Sequence, residues 1–176
     1  AHTLQADVSA VFKAPYTTTE SIFSFPMDAT NAPGTQNQLG YYFNAGNVEY
    51  YLNTGSTGIY SNPQFAATDD RKTKLTVATT SIAKFPSSTK FSGVSPYIDF
   101  VPSIRYAEVL LNLAEAEAEG GNINRAIDIL NAVHKRSDPS YVFTGLDSKA
   151  NVVKAILTER RIEFLAEGFR ANDILR

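Results

Sequence analysis

The sequence predicts a mainly α fold, with stacked helices in the C-terminal half and a loop-rich N-terminal half containing short strands. Three observations predict it. Residues 101–176 carry 21 charged residues and repeat apolar positions at helical spacing. Residues 1–100 carry only 13 charges but six of the eight prolines and six of the ten glycines, with abundant Thr, Ser, Asn and aromatics. The chain has 176 residues, 43% of them hydrophobic, enough to bury a core. It is read as one structural unit: a loop-rich region over 1–101 with candidate ligand-binding loops, and a helical region over 102–176.

In chain order, 21–27 alternates enough to be a strand, and 29–38 is turn and loop. Residues 71–80 read as a strand with Leu75 and Val77 on one face. Residues 97–101 lead into the first long helix. Pro102 and Ser103 open that helix, because proline loses nothing in a first turn. Ile104, Ala107, Leu111, Ala114 and Ala118 form its stripe. Gly120 and Gly121 end it, since glycine accepts the left-handed cap. Asn122 or Asn124 caps a second helix with Ala126, Ile127, Leu130 and Val133 inward. Lys135 and Arg136 suit its C-terminal dipole, and Asp138-Pro139 forbids continuation. The small residues Ala114, Ala118 and Ala126 let the two backbones approach, so the hairpin resembles one tetratricopeptide-type unit. Residues 141–143 are extended. Asp147 or Ser148 caps a third helix running to about Glu167, with Val152, Val153, Ile156, Leu157, Leu165 and Ala166 inward. Gly168 stops or kinks it, and the closing ANDILR reads as helix without a terminal cap, the mark of a trimmed end.

Several chemistries are excluded or weakened. The net charge of -2 gives no basic surplus for nucleic acid. The lack of cysteine removes thiolate zinc sites, thiol catalysis and disulfides. The longest aliphatic run, Val109 to Leu111, is far too short for a membrane helix. No nucleophile elbow, phosphate loop or histidine pair at metal spacing occurs. His134, in the last turn of a helix, reads as a surface residue facing the dipole, and His2 lies near a chain end. Asp69, Asp70 and Asn62 suggest calcium, but the loop pattern that holds it is missing.

The carboxylates read as structural. Glu115, Glu117 and Glu119 do not share a helix face and form a solvated surface. Glu159 and Glu163 do share one. Such a pair could serve glycoside hydrolysis. Interleaved arginines favour instead an ion-pair network with Arg105, Arg160 or Arg170 that locks the third helix to the first, because a nearby cation spoils a general acid.

The aromatics carry the binding signal. Tyr41, Tyr42, Phe43, Tyr50, Tyr51 and Tyr60 lie within 20 residues and include five of the nine tyrosines. Asn44, Asn47 and Asn53 are interleaved. A flat ring takes the apolar face of a sugar, and amides take its hydroxyls. The candidate ligand-binding set is Tyr41, Tyr42, Asn44, Tyr51, Asn53 and Tyr60. The alternative is that these rings pack a small sheet beside the helices.

The stretches RYAEVLLNLAEAEAEGG (105–121), NRAIDILNAVHKRS (124–137) and ILTERRIEFLAEGFRANDILR (156–176) resemble the closing helices of the SusD/RagB family. That family comprises nutrient-binding outer-membrane lipoproteins of Bacteroidetes. ESIFSFPM (20–27), TDDRK (68–72) and AKFP (83–86) resemble its middle region. The resemblance implies non-catalytic binding of glycans or related nutrients, without a cofactor, for polysaccharide utilisation. It also implies an outward-facing place at the outer membrane and delivery to a TonB-dependent SusC-like transporter. The family's tether is a lipid on an N-terminal cysteine, absent from this chain, and its members are commonly much longer, so the chain reads as the C-terminal part of one. An uncovered helix face would then lead to self-association or rearrangement. The competing reading is a helical protein–protein interaction scaffold with the aromatics as core.

Overall fold

The computed structural model describes residues 1–28, 30–31, 39–43, 48–77, 81–85 and 98–175. Among them, the first regular element after an N-terminal single turn is strand β1, Ser21–Phe25. A short helix α1 (Leu39–Phe43), a second, α2 (Asp70–Lys74), and two-residue strands β2 (Thr76–Val77) and β3 (Ser81–Ile82) follow. Strand β4 (Val101–Arg105) then leads directly into helices α3 (Tyr106–Gly120), α4 (Ile123–Lys135), α5 (Lys149–Glu163) and α6 (Arg170–Leu175). Strands β1 and β4 pair antiparallel, as do β2 and β3. The fold is helix-rich with short strands, as the sequence predicts, though β4 reaches into the region read as helical.

The helical hairpin forms as expected. Gly121 takes φ 94°, the left-handed cap, and the Asn122 side chain accepts from the Arg125 N–H to start α4. Ala114, Ala118 and Ala126 are completely buried between the two helices. With Leu111, Leu130, Val133, Val152, Ile156 and Phe164 they form the main core. Ser148 caps α5 by accepting from the Asn151 N–H. A second cluster, Leu52, Ile59, Phe65, Ile82 and Ile162, fastens the loop-rich half to α5. A third holds Val8, Val11, Phe12 and Leu75.

Three expectations about elements are corrected. Pro102 does not open a helix: it is buried in β4 opposite Ser24, and α3 starts at Tyr106. Pairing with β1 overrides the local preference, and Ile104 leaves the helical stripe to stand 41% exposed beside Phe23. Residues 71–80 are not one strand. Asp69 accepts from the Arg71 N–H and caps a single helical turn, α2; Thr76–Val77 is extended, and 78–80 lie outside the described residues. The third helix stops at Glu163, four residues early, because the chain turns at Phe164 to bury that ring and then takes positive φ at Ala166 and Gly168.

The turn expected over 29–38 opens with Asp28 accepting from the N–H groups of Thr30 and Asn31, and its remainder lies outside the described residues. Residue 97, read as the start of the lead into the first helix, also lies outside them. Helix α6 forms over most of the closing ANDILR.

Candidate functional site

The carboxylates and the tyrosines of the sequence reading separate cleanly. The carboxylate pair of α5 goes inside. Glu159 and Glu163, one turn apart on α5, are fully buried. Glu163 is met by three arginines: Arg71 at 2.9 Å, Arg105 at 2.9 Å and Arg136 at 2.6 Å. Arg71 also donates to Glu159 at 2.6 Å and to Asp69 at 2.6 Å. Arg105, at the β4–α3 junction, also reaches Glu20 and Glu167. Lys84 donates to Glu167 and to the Glu163 carbonyl, both at 2.6 Å. These contacts bind β1, α2, β4, α4 and α5 together.

The network therefore exists, with corrected membership. Arg105 takes part as expected. Arg160 instead turns to Asp173 of α6 and to Asn112 of α3. Among the described residues Arg170 makes no ion pair, and the remaining cations of the network are Arg71, Arg136 and Lys84, joined by His134. His134 is not a surface residue: it is fully buried. Its Nδ1 lies 2.7 Å from Glu159 Oε2, so this nitrogen donates to the carboxylate. The segment after α4 folds back to seal the ring, with Tyr141 and Phe143 centred 4.3 and 5.0 Å from it.

The electrostatics remove this pair from acid chemistry. Burial alone would raise the Glu159 carboxyl, but Arg71 and then His134 outweigh it and hold it down at about 2. Glu163 is likewise raised by burial, then driven well below its usual range by Arg136, Arg105 and Arg71. Both groups are anions at neutral pH and cannot donate a proton. The calcium suggestion fails for a similar reason. Asp69 is committed to Arg71, Asp70 pairs with Lys74 at 2.8 Å, and Asn62 accepts from the Gln64 N–H.

The tyrosines divide: Tyr50 and Tyr51 are exposed, while Tyr41, Tyr42 and Tyr60 are half-buried. Tyr41 and Tyr42 sit on α1, their rings edge-to-face at 5.2 Å, and Tyr42 meets Tyr50 at 6.2 Å. The segment after residue 47 folds back on α1 because the Glu49 and Tyr50 N–H groups both donate to the Tyr42 carbonyl. That turn leaves Tyr50 57% and Tyr51 61% exposed. The Tyr51 hydroxyl donates to the Val48 carbonyl at 2.8 Å, which fixes the ring. Leu52 dips into the second core and anchors the strip from below. Phe43, tilted against Tyr50 at 5.4 Å, also lines a cleft of about 350 Å³ with Leu39, Phe85, Val101 and Pro102.

Not every predicted site residue joins this cluster. Asn53 is exposed, but its side chain accepts from the Gly55 N–H and shapes the next turn. Tyr60 packs edge-on against Phe65 at 6.0 Å and carries the Lys72 ammonium 4.5 Å from its ring, a packing role. Asn44 lies outside the described residues. Tyr50, outside the candidate set, belongs with the cluster; its place in the same aromatic run was the available signal. Phe43 and Tyr60 pack against the core cluster that includes Ile82 of β3, so the alternative of rings packed beside a small sheet describes these two.

Comparison with known proteins gives this arrangement its context. The sequence profile of the SusD family matches residues 34–176. The chain belongs to the SusD family. A SusD-like protein of Formosa agariphila is 36% identical over 93 residues, covering 48% of this chain and 18% of that protein. A SusD superfamily crystal structure from Bacteroides fragilis is 36% identical and superposes with a TM-score of 0.86, over 99% of this chain and 40% of that one. Surface glycan-binding protein A from Bacteroides thetaiotaomicron, solved in complex with laminarihexaose, shares the fold with a TM-score of 0.63 at 17% identity, over 99% of this chain and 46% of that one. The chain thus spans less than half the length of each of these proteins.

Proposed function

We propose that this SusD-family chain binds glycans without cleaving them. The observation that carries the reading is the tyrosine cluster, with half-buried Tyr41 and Tyr42 beside exposed Tyr50 and Tyr51, on a fold shared with a glycan-binding protein. The exposed Tyr50 and Tyr51 rings, the latter with its hydroxyl anchored on Val48, are surfaces that a sugar face would cover. Tyr51, the most exposed of these rings, offers its face to the sugar, with Asn44 following from the sequence as a hydroxyl partner. The protein works at the outward face of the outer membrane and hands its ligand to a TonB-dependent SusC-like transporter.

Calorimetry against a panel of oligosaccharides, with reducing-sugar release followed in parallel, tests this. Saturable binding without release supports it. Release of reducing sugar, or silence across the panel together with unchanged uptake on gene deletion, contradicts it.

A second reading, a protein–protein scaffold, draws on one observation. Phe23 and Phe25 are 50% and 51% exposed beside Ile104 on the β1–β4 ribbon, an apolar strip suited to another protein. Pull-down of a transporter that survives Phe23→Ser rules against that strip as the contact.

A further inference from the structure

A second concave surface lies along α5, apart from the tyrosine cluster. It is a groove of about 670 Å³, within the size range of ligand sites. Ile59, Val153 and Leu157 give it an apolar wall, and Asn62 and Thr158 supply polar groups. Its charge is one-sided. Lys149, Lys154, Arg161 and Arg170 line it against a single carboxylate, Glu119, in a chain whose net charge is -2. Glu119 is already engaged by Lys149.

The other three cations have no paired counter-charge among the described residues. Lys154, Arg161 and Arg170 make no side-chain ion pair or hydrogen bond among the described residues. The contrast with Arg160 is direct: that neighbour is buried and holds Asp173 at 3.0 Å. Partial burial and then the adjacent Arg170 charge push the Arg161 guanidinium below its usual value. Two like charges lining one apolar-walled groove are relieved when an anion enters between them, and guanidinium groups match carboxylate and sulfate oxygens in pairs.

We propose that this groove is a subsite for acidic sugars, taking the carboxylate of a uronic acid or the sulfate of a sulfated sugar between Arg161 and Arg170, with Lys154 at its edge. The ring lies along Val153 and Leu157. The subsite rests on the glycan-binding reading and sharpens it: the ligand is an anionic oligosaccharide.

The test is calorimetry with three probes of similar length: an oligogalacturonate, a sulfated galactan oligosaccharide and a neutral oligosaccharide. Wild type and Arg161→Gln/Arg170→Gln are compared, with melting curves checking the fold and Lys154→Gln as a milder second variant. At least one acidic probe binds tenfold more tightly than the neutral one, the preference weakens with added salt, and the double variant loses it. Which acidic probe leads distinguishes carboxylate from sulfate. Equal affinity for acidic and neutral probes, or an acidic preference retained in both variants, overturns the subsite while leaving the glycan reading intact. No binding of any probe to wild type overturns both.

Discussion

Arg71 Nη1 donates to Glu159 Oε1 at 2.6 Å, and at most 2% of either side chain is exposed. This one contact joins a helical turn of the loop-rich half to the long helix α5. The desolvated charges are affordable only because each is multiply paired: Arg71 by three carboxylates and Glu159 by Arg71, His134 and Gln64.

Arg71→Met tests that joint. It strands Glu159, Glu163 and Asp69 with fewer partners, and breaking a buried pair from one side costs about 3–5 kcal/mol. Urea denaturation reads the loss. Lys74→Met, at an exposed pair with Asp70, changes stability by less than about 1 kcal/mol. Similar small losses in both variants contradict the buried-network account.

Acid sensitivity follows from the same network. Glu159 has its folded pKa lowered from 4.5 to about 2, so the unfolded chain takes up the proton first as pH falls. Its contribution is complete above about pH 5 and drains away toward pH 2, amounting to roughly 3 kcal/mol. Glu163 acts in the same direction. Urea midpoints measured from pH 7 down to pH 3 fall steeply below 5. A flat profile there contradicts the pairing.

Gly58 is a close-approach position. A Cβ there would run into the Asn53 carbonyl, whereas one at Gly120 meets nothing within 4 Å. Gly58→Ala lowers the melting temperature by opening the turn between the core residues Leu52 and Ile59. Gly120→Ala is neutral or stabilising by up to about 1 kcal/mol. The reverse ranking by differential scanning calorimetry contradicts this.

Self-association at high concentration is expected through the exposed Phe23, Phe25 and Ile104. Sedimentation velocity shows a concentration-dependent shift that Phe23→Ser/Ile104→Thr removes. A monomer at all concentrations, with low hydrophobic-dye binding, contradicts it.

The sequence made some of this legible and hid the rest for physical reasons. Gly121 and Asn122 are local signals, and the α3–α4 hairpin follows from them. The same holds for Ser148 and α5. Pro102 misleads because its surroundings suit a helix start, while its β-conformation is imposed by β1, some 80 residues away. Arg71 and His134 are hidden more deeply. A lone arginine after two aspartates, and a histidine in a last helical turn, look like surface residues. Only the packing of α2 onto α5 and of residues 141–143 over α4 makes them interior. The tyrosine run was visible as composition; its division into exposed Tyr50 and Tyr51 and packed Tyr60 depends on where Leu52 and Ile59 enter the core.

The most direct test of the central claim, that the exposed tyrosine strip is a sugar-binding face, is ligand calorimetry on Tyr51→Ala beside its melting curve, using any oligosaccharide that wild type binds. The account predicts at least a tenfold loss of affinity with an unchanged melting temperature, while Tyr60→Ala chiefly destabilises the fold. Undiminished affinity in Tyr51→Ala, or a melting temperature lowered by several degrees there, would contradict it.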